Sequence, residues 1–425
     1  MANKIRTACI LVLVFLPLSV FPQDVARVRF CFAGDLMQHG TQIRSALQPD
    51  GSYRYDTCFS YIRDRFRNAD FAVLNMETTY SGPPYTGYPS FSSPDDLAIS
   101  TKKAGVNVFL TANNHILDKG VEGARRTVSL YDSLGIMHTG TIRPWIILEK
   151  NGIKTALLNY TYTSNNNSGN ESFMLNLTDT SLIRRHIGEV RDNGADCIIC
   201  CMHWGVEYQL HSAPEQRLLA HWLRKAGVTA VIGSHPHVPQ SIEVVNGEDG
   251  KPAFLVAYSL GNFISNQPEP FTRMGLILNF ELVITQTGPC IESLWYEWIW
   301  TWCPVRDGKK TYLVVPVSDN RLYREIATEP SDTLLIVKTI KTLRNFMRET
   351  SPAIYERIRY PAYERKNLYF GIHPAIRPLW TRQPVDSPVK GKFSTVKDHS
   401  QGRTTQGSGT TGNCLLYTSP SPRDS

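Results

Sequence analysis

The chain has 425 residues, of which 42% are hydrophobic and 10% aromatic, so it can form one large folded domain with an appendage. Wholesale disorder is excluded by this composition. The formal net charge of +7 is spread along the chain without a dense Lys/Arg block. No nucleic-acid partner is therefore expected, although a mild attraction to anionic surfaces or polymers stays open.

Residues 1–23 resemble a secretion signal. Lys4 and Arg6 form a positive start, and residues 8–21 form an apolar segment shorter than the ~20 residues that span a membrane comfortably. The region around Ser19 lacks a clean Ala-x-Ala cleavage site. We therefore expect the protein to be secreted or periplasmic, or tethered to the cytoplasmic membrane by an uncleaved anchor.

Apolar strand-like runs alternate with helical segments over the next 260 residues. The strand-like runs cover residues 28–33, 71–74, 106–110, 197–202, 228–232 and 254–257. The helical segments cover residues 94–104, 121–134, 178–193 and 213–226, with Ser93-Pro94-Asp95 as a cap and Ser212 to Glu215 as a capping box. This alternation predicts an α/β fold with a largely parallel sheet and helices packed on it.

The pattern changes after residue 283. Aromatic strands are predicted around 295–302 and 312–317, where the tryptophans suit packing better than ligand binding, and a helix is predicted over 332–349. We divide the chain into the main domain, 24–283, a flanking segment, 284–383, and a tail, 384–425, that should be disordered. The tail ends in residues 414–424, which look like a translated sequencing adapter.

The nine cysteines do not form a dense disulfide framework. Cys197, Cys200 and Cys201 lie in an apolar run and are expected to be buried small hydrophobic residues. Cys290 and Cys303 are the pair that we consider for a periplasmic disulfide.

Metal-type side chains stand at or just past the ends of the apolar runs. Carboxylate, amide and imidazole groups are the ligands that Zn, Mn or Fe accept, and the carboxyl ends of strands are where such groups gather in α/β sheets. The predicted ligands are Asp35, Glu77, Asn114, His203, His235 and His237. We expect one or two divalent ions, with Glu77 as the bridging carboxylate if there are two.

Three further residues are assigned to catalysis: His115, Asp118 and Glu207. An imidazole usually donates its second nitrogen to a carboxylate or carbonyl, so Asp118 is the expected partner of His115, and Glu207 that of His203. Four other histidines, His39, His186, His211 and His221, are interpreted as surface or structural, although the first loop could bring His39 to the site.

Six motifs in order carry a resemblance to a known family. They are Gly34-Asp35-Leu36-Met37, Asn75-Met76-Glu77, Ala112 to Gly120 with Asn114-His115, His203 to Tyr208, Gly233 to His237, and Tyr258 to Phe263. Over residues 28–281 the chain resembles the CapA family of capsule and poly-γ-glutamate biosynthesis proteins. That resemblance implies a calcineurin-like metallophosphoesterase fold, a layered α/β sandwich.

The resemblance also implies roles for the site residues. The six predicted ligands match metal positions of the broader phosphoesterase pattern, and His115 matches the residue that stabilises the leaving group. Two positions depart from it, because Met37 stands where phosphoesterases have a histidine and Glu77 replaces their bridging aspartate. These departures disfavour ordinary phosphatase activity.

The favoured function is therefore the synthesis, trimming or export of an extracellular anionic polymer, with a metal centre that hydrolyses or binds the chain. Membrane-bound synthesis or export proteins would be partners. A metallophosphoesterase acting on a phosphorylated substrate is the first alternative, and a non-catalytic polymer-handling scaffold is the second.

Overall fold

A computed structural model of the chain describes residues 26–166, 174–306, 308–318, 323–324 and 330–358. All of them belong to one compact unit. The predicted signal or anchor, the predicted tail and its adapter-like end lie outside the described residues. The domain boundaries proposed from the sequence stay predictions.

Up to residue 257 the described structure has a strand at each predicted strand-like run and a helix at each predicted helical segment, but further strands and helices stand between them, so the alternation is not strict. The strands are β1 (Arg27–Leu36), β2 (Phe71–Met76), β3 (Val108–Leu110), β4 (Met137–Thr139), β5 (Trp145–Lys150), β6 (Ile153–Thr161), β7 (Cys197–His203), β8 (Ala230–Ser234), β9 (Ile242–Asn246), β10 (Pro252–Ala257), β11 (Asn262–Ile264), β12 (Met274–Thr285), β13 (Gly288–Trp302), β14 (Val305–Arg306), β15 (Lys309–Lys310), β16 (Leu313–Pro316) and β17 (Tyr355–Glu356). The α-helices are α1 (Gly40–Ala46), α2 (Arg63–Arg67), α3 (Asp95–Lys103), α4 (Gly120–Ser133), α5 (Thr180–Asp192), α6 (Pro214–Lys225) and α7 (Pro330–Thr350).

The strands form two large sheets rather than the single parallel sheet predicted from their alternation. The first sheet has the order β16-β13-β12-β1-β2-β3-β4, with β11 beside β1 and β17 beside β13. Strands β1 to β4 are parallel, whereas β12, β13 and β16 extend the sheet in antiparallel fashion. Local alternation does not say which sheet a strand joins, and for that reason the sequence missed this division.

The second sheet has the order β5-β6-β7-β8-β10-β9. Its central strands β6, β7, β8 and β10 are parallel, and an antiparallel strand closes each edge. A small two-stranded hairpin, β14-β15, is separate from both sheets.

The two sheets pack face to face over the main hydrophobic core. Phe30 and Trp298 of the first sheet and Leu157 and Ile199 of the second belong to this buried cluster. A second cluster lies between the first sheet and its helices, and a third lies between the second sheet and α5 and α6. The molecule is thus a four-layer α/β sandwich, and the predicted fold class is confirmed.

The segment after residue 283 extends the first sheet and adds α7. Trp298, Trp300 and Trp302 are buried in the core between the sheets, so the predicted packing role of these tryptophans is confirmed. Helix α7 covers the predicted 332–349, and its Ile336 and Leu343 join the same core. None of the helices in the described part of the chain is long and apolar enough to cross a membrane.

Two details of the helix starts differ from expectation. Pro94 is the N-cap of α3 and Asp95 its first residue. At α6 the backbone N–H of Ala213 donates to Gln216 Oε1 at 2.8 Å, so the reciprocal bond of the cap lies one residue later than predicted. Pro214 then occupies the first helical position, where its missing N–H costs nothing.

The proposed Cys290–Cys303 disulfide is wrong, since both residues have free thiols. Cys290 lies near the start of β13 and Cys303 directly follows its end. A strand rises about 3.3 Å per residue, whereas a disulfide needs Cα atoms within about 7 Å. By contrast, Cys197, Cys200 and Cys201 are buried in β7, as expected.

Candidate metal centre

The candidate site lies where the carboxyl ends of the parallel strands of both sheets meet. Strands β1, β2 and β3 of the first sheet lead into Asp35, Glu77 and Asn114, and strands β7 and β8 of the second lead into His203, His235 and His237. All six predicted ligands are buried. The packing of the two sheets therefore brings residues that are distant in sequence together in one cluster.

Asp35 holds the two sheets together at this point. Its Oδ1 accepts a hydrogen bond from Asn75 Nδ2 at 2.7 Å, and its Oδ2 accepts from the backbone N–H of His235 at 3.2 Å. The same Oδ2 lies 3.2 Å from His237 Nδ1. A carboxylate fixed by three groups in this way has a defined orientation before any ligand arrives.

Unlike Asp35, Glu77 has no hydrogen bonds that fix its carboxylate within the described structure. It is completely buried, and neither of its carboxylate oxygens has a hydrogen-bond partner among the described residues. Oε1 lies 3.7 Å from His203 Nε2 and 3.8 Å from His237 Nε2, too far for hydrogen bonds. Burial, and then the negative charges of Asp35 and Glu207, raise the pKa of Glu77 well above its usual value.

His203 faces Glu77 from the end of β7. Its Nε2 lies 2.8 Å from Asn114 Oδ1, and its Nδ1 lies 3.1 Å from Ser234 Oγ. Burial, together with the nearby imidazoles of His235 and His237, holds the pKa of His203 well below its usual range. The ring is therefore neutral near pH 7, which is the form that binds metals.

His235 and His237 both have left-handed backbone conformations, with φ values of 96° and 59°. Such conformations cost of order 1 kcal/mol for residues other than glycine and concentrate at functional sites. They turn two imidazoles, one on each side of Pro236, into the same buried space. The ring centroids of the two histidines lie 5.8 Å apart.

The two rings differ in their electrostatic surroundings. Burial and then His237 lower the pKa of His235, whose Nδ1 has no hydrogen-bond partner in the described part of the chain. Burial alone would also lower the pKa of His237, but its hydrogen bond to Asp35 and the charges of Asp35 and Glu207 outweigh it, and the pKa is raised. His237 Nδ1 also lies 3.1 Å from Asn262 Oδ1.

Three overlapping sets of side chains could each hold a metal ion. They are Asp35/Glu77/His237, Glu77/His203/His235 and Glu207/His235/His237, with the ligand atoms of each set within 4.8 Å of one another. Glu77 is shared by the first two sets. Two atoms that bind one ion at about 2.0–2.2 Å are themselves about 3–4 Å apart, which matches the distances from Glu77 to the imidazoles.

The chemistry of these donors fits a divalent metal. Three unsatisfied buried atoms, both oxygens of Glu77 and Nδ1 of His235, are the groups that a cation would satisfy. The set combines oxygen and nitrogen without thiolate, as expected for Zn, Mn or Fe. The described structure thus supports a metal centre and leaves the identity of the metal open.

His115 and Asp118 form a hydrogen-bonded pair beside this cluster. His115 Nδ1 lies 2.8 Å from Asp118 Oδ2, and both side chains are buried. Asp118 Oδ2 also accepts from the backbone N–H of Phe91 at 2.8 Å, and the Phe91 ring packs against the imidazole. Asp118 is therefore fixed, and it orients His115 as the sequence predicted.

Glu207 lies beside His237 rather than beside its predicted partner His203. Its Oε1 is 4.0 Å from His237 Nε2, and it is grouped with His235 and His237. The chain turns sharply after β7, with positive φ at Gly205, and this turn carries Glu207 past His203. Its side chain is about one-third exposed, at 35%, so it stands at the entrance of the site.

Met37, His39 and His186 are three residues that the sequence did not assign to the metal ligands. Met37 is buried directly after β1, so a thioether occupies the position at which the phosphoesterase pattern has a histidine. His39 accepts a hydrogen bond from the backbone N–H of Asn266 at 3.3 Å and belongs to none of the three ligand sets. His186 bonds Tyr160 on the far side of the second sheet and is structural.

Sequence reasoning missed several residues that position the ligands. Asn75 bonds Asp35 and approaches His203 Nδ1 at 3.4 Å, and Asn262 bonds His237. The ring of Tyr162 lies 4.7 Å from that of His235. Asn75 and Asn262 stand in two of the quoted motifs at strand ends, and this placement was the available signal.

A close backbone approach at Gly34 supports this arrangement. A Cβ on Gly34 would lie 1.7 Å from the carbonyl oxygen of Gly261. The backbone N–H of Asp35 donates to this same oxygen at 3.0 Å. Only glycine permits β1 and the loop before β11 to meet directly beside the first ligand.

Comparison with known proteins identifies the family. The model of the family described as bacterial capsule synthesis protein PGA_cap matches residues 29–267, more than half of the chain. The chain belongs to this family. The PGA_cap match covers every predicted ligand and all three residues assigned to catalysis, and the CapA resemblance is confirmed.

Individual relatives are more distant. The PGA biosynthesis protein CapA of Bacillus subtilis (strain 168) is 29% identical over 275 residues, which cover 60% of this chain and 68% of that protein. The capsule biosynthesis protein CapA of Bacillus anthracis is 23% identical over 322 residues, covering 72% of this chain and 74% of that protein.

Among solved structures, the calcineurin-like phosphoesterase YfkN from Bacillus subtilis is similar at 13% identity with a TM-score of 0.38. The similarity covers 76% of this chain and 99% of that one.

Proposed function

We propose that this PGA_cap protein is an extracytoplasmic, metal-dependent hydrolase that acts on an anionic polymer during its synthesis, trimming or export. Its two CapA relatives are named for PGA and capsule biosynthesis. The N-terminal 23 residues, with their positive start and apolar segment, support placement outside the cytoplasm. Membrane-bound synthesis or export proteins would be its partners.

One observation carries the hydrolase proposal: Glu77 is fully buried between two imidazoles, and neither of its oxygens is hydrogen-bonded within the described structure. A purely structural carboxylate in this position would be paired, because an unpaired buried charge is strongly unfavourable. This arrangement favours a metal-binding carboxylate over the second alternative, a scaffold with an empty site.

The roles of the residues follow from their positions. Asp35, Glu77, His203, His235 and His237 would hold one or two divalent ions, with Asn114 as a further oxygen donor. A divalent ion at this place supplies Lewis acidity and activates a water for attack.

His115 is suited to protonate the leaving group, since Asp118 binds its Nδ1, and its Nε2 has a long contact of 3.5 Å with Asn165 Nδ2 that a substrate could replace. Glu207, at the entrance, is suited to accept the proton that the attacking water loses. Asn75 and Asn262 keep Asp35 and His237 in position.

The experiment is a chain-length assay on γ-linked polyglutamate, run with protein loaded with Zn, Mn or Fe and with chelator-treated protein. We expect shortening of the polymer only in the metal-loaded samples. His235→Ala and Glu77→Ala should lose bound metal and activity together. His186→Ala removes a buried histidine outside the site and is the control that should keep both.

Two results would contradict the proposal. Rapid turnover of a generic phosphodiester without any effect on the polymer would identify a phosphoesterase, for which Met37 would then be no obstacle. Equal losses in all three variants would mean that the histidines maintain folding rather than bind metal.

A further inference from the structure

A cavity of about 290 Å³ lies on the helix side of the first sheet, and two of its lining residues, Gln38 and Ile264, stand within three residues of Asp35 and Asn262 in the chain. Its charged lining residues are Arg54 and Lys309, and no described residue that lines it is acidic. Polar side chains, among them Gln38, Gln42 and Tyr312, share the rest of the lining with a larger apolar surface. The charged groups of the cavity are therefore cationic, whereas the metal ligands include two carboxylates.

A short loop connects the cavity to the metal centre. The Asn262 amide oxygen bonds His237 within the centre, and two residues later Ile264 lines the cavity. Asn266 Oδ1 then accepts hydrogen bonds from Lys310 Nζ at 2.8 Å and from the hydroxyl of Tyr312 at 2.6 Å. On the other side, Gln38 lies only three residues after Asp35 in the chain.

The cationic side chains retain hydrogen-bonding capacity. Lys309 Nζ donates to the carbonyl oxygen of Leu47 at 2.8 Å, which uses one of its three N–H groups. Asp50 and Asp56, the acidic residues close by in sequence, do not line the cavity and accept hydrogen bonds from Ser52 and Ser100. The charge of Asp50 also interacts with that of Arg54.

The hairpin β14-β15 is what brings Lys309 and Lys310 to this place. It follows β13 and contacts α1. Both lysines lie beyond residues 29–267, the part that matches the family model. The cavity is therefore completed by a segment outside the matched region.

We propose that this cavity binds one carboxylate-bearing unit of the polymer, so that the neighbouring linkage lies at the metal centre. The inference rests on the proposed function and adds the subsite that recognises the charge of the substrate. Ligand pockets usually measure about 300–1,000 Å³, so this cavity has room for a single unit rather than for a folded chain. Cationic donors form the strongest hydrogen bonds to carboxylates, and Arg54 and Lys309 supply them.

The test measures binding of a fluorescent, short γ-linked glutamate oligomer to chelator-treated full-length protein, so that neither metal nor hydrolysis affects the result. The double variant R54E/K309E should bind at least about tenfold more weakly, because two attractive contacts become repulsive. R54Q alone, at an exposed side chain, should bind about threefold more weakly. K341E makes the same change of charge on the exposed surface of α7 and should bind within about twofold of the unaltered protein.

A neutral γ-linked glutamine oligomer and inorganic phosphate serve as competitors. The proposal requires that the glutamine oligomer competes poorly and that phosphate competes only weakly. It is overturned if R54Q and a correctly folded R54E/K309E both bind like the unaltered protein, or if the glutamine oligomer competes as well as the glutamate oligomer. If the variants lose binding but the metal-loaded protein leaves the polymer intact, the subsite stands and only the hydrolase proposal fails.

Discussion

Replacing Glu77 by glutamine should have opposite effects on the metal-free and metal-loaded protein. Without metal, Glu77 is a buried carboxyl group near Asp35, with no hydrogen-bond partner in the described structure and a raised pKa. Glutamine has almost the same shape and no charge. The metal-free E77Q protein should therefore be at least as stable as the unaltered protein at neutral pH.

With metal the order should reverse. A metal present at about 100 times its Kd stabilises the folded state by about 2.7 kcal/mol. Changing residues that only support the ligands typically weakens metal binding by about 10–100-fold, so loss of a ligand shared by two sets should reach at least the upper figure. At that affinity the same metal concentration would contribute only about 0.4 kcal/mol.

The difference of about 2.3 kcal/mol corresponds to about 5 °C in Tm, taking about 2 °C per kcal/mol for a large domain. Thermal melting of both proteins, each with chelator and with added metal, measures all four values. The reasoning is refuted if E77Q melts lower by the same amount in both conditions, since Glu77 would then be a structural residue. It is equally refuted if metal raises the Tm of both proteins by the same amount.

Three further changes test other parts of the structure. Burial lowers the pKa of His186 below its value in the unfolded chain, about 6.5, so the unfolded state binds more protons as pH falls through that value. The free energy of unfolding should therefore decline from about pH 7.5 to 5.5. Denaturant titrations should show a less steep decline in H186Q. Gly34→Ala should lower the free energy of unfolding by about 3 kcal/mol or more, because its Cβ meets backbone atoms. Gly188→Ala, with open space in the middle of α5, should raise it by about 0.5–1 kcal/mol. A similar effect of both substitutions on Tm would count against the close approach at Gly34. Asp118→Asn should lower kcat by about 10²-fold or more at unchanged metal content, because it disturbs the orientation of His115. An unchanged kcat would show that the His115–Asp118 pair has no role in catalysis.

The sequence predicted the elements well because their signals are local. The four predicted helices begin and end within two residues of the observed α3, α4, α5 and α6, since caps and glycines mark helix boundaries directly. The short helices α1 and α2 were not predicted. Placement of ligand-type residues after apolar runs was equally informative, because strand ends of parallel sheets share one edge. Asp35 and Glu77 could be selected on this basis before their contacts were known.

What the sequence could not supply depends on the path of the chain in space. The division into two sheets and the place of Glu207 both follow from turns whose direction local patterns do not encode. The pairing of Cys290 with Cys303 failed because β13 begins at Gly288, well before the aromatic segment 295–302 from which the strand was predicted, so Cys290 lies on the strand that ends just before Cys303. Asn75 and Asn262 were overlooked as positioning residues because a neutral amide at a strand end has many ordinary structural uses.

The metal content of the purified protein tests the central claim most directly. Protein prepared without chelator, or reconstituted with Zn, Mn or Fe and then desalted, should contain one or two divalent ions per chain by elemental analysis. The reason is that five buried carboxylate and imidazole ligands lie together, and that atoms of two of them, Glu77 and His235, are unsatisfied in the described structure. A content below about 0.2 equivalents after reconstitution, against the one or two ions of an open hydrolytic site, would contradict the account.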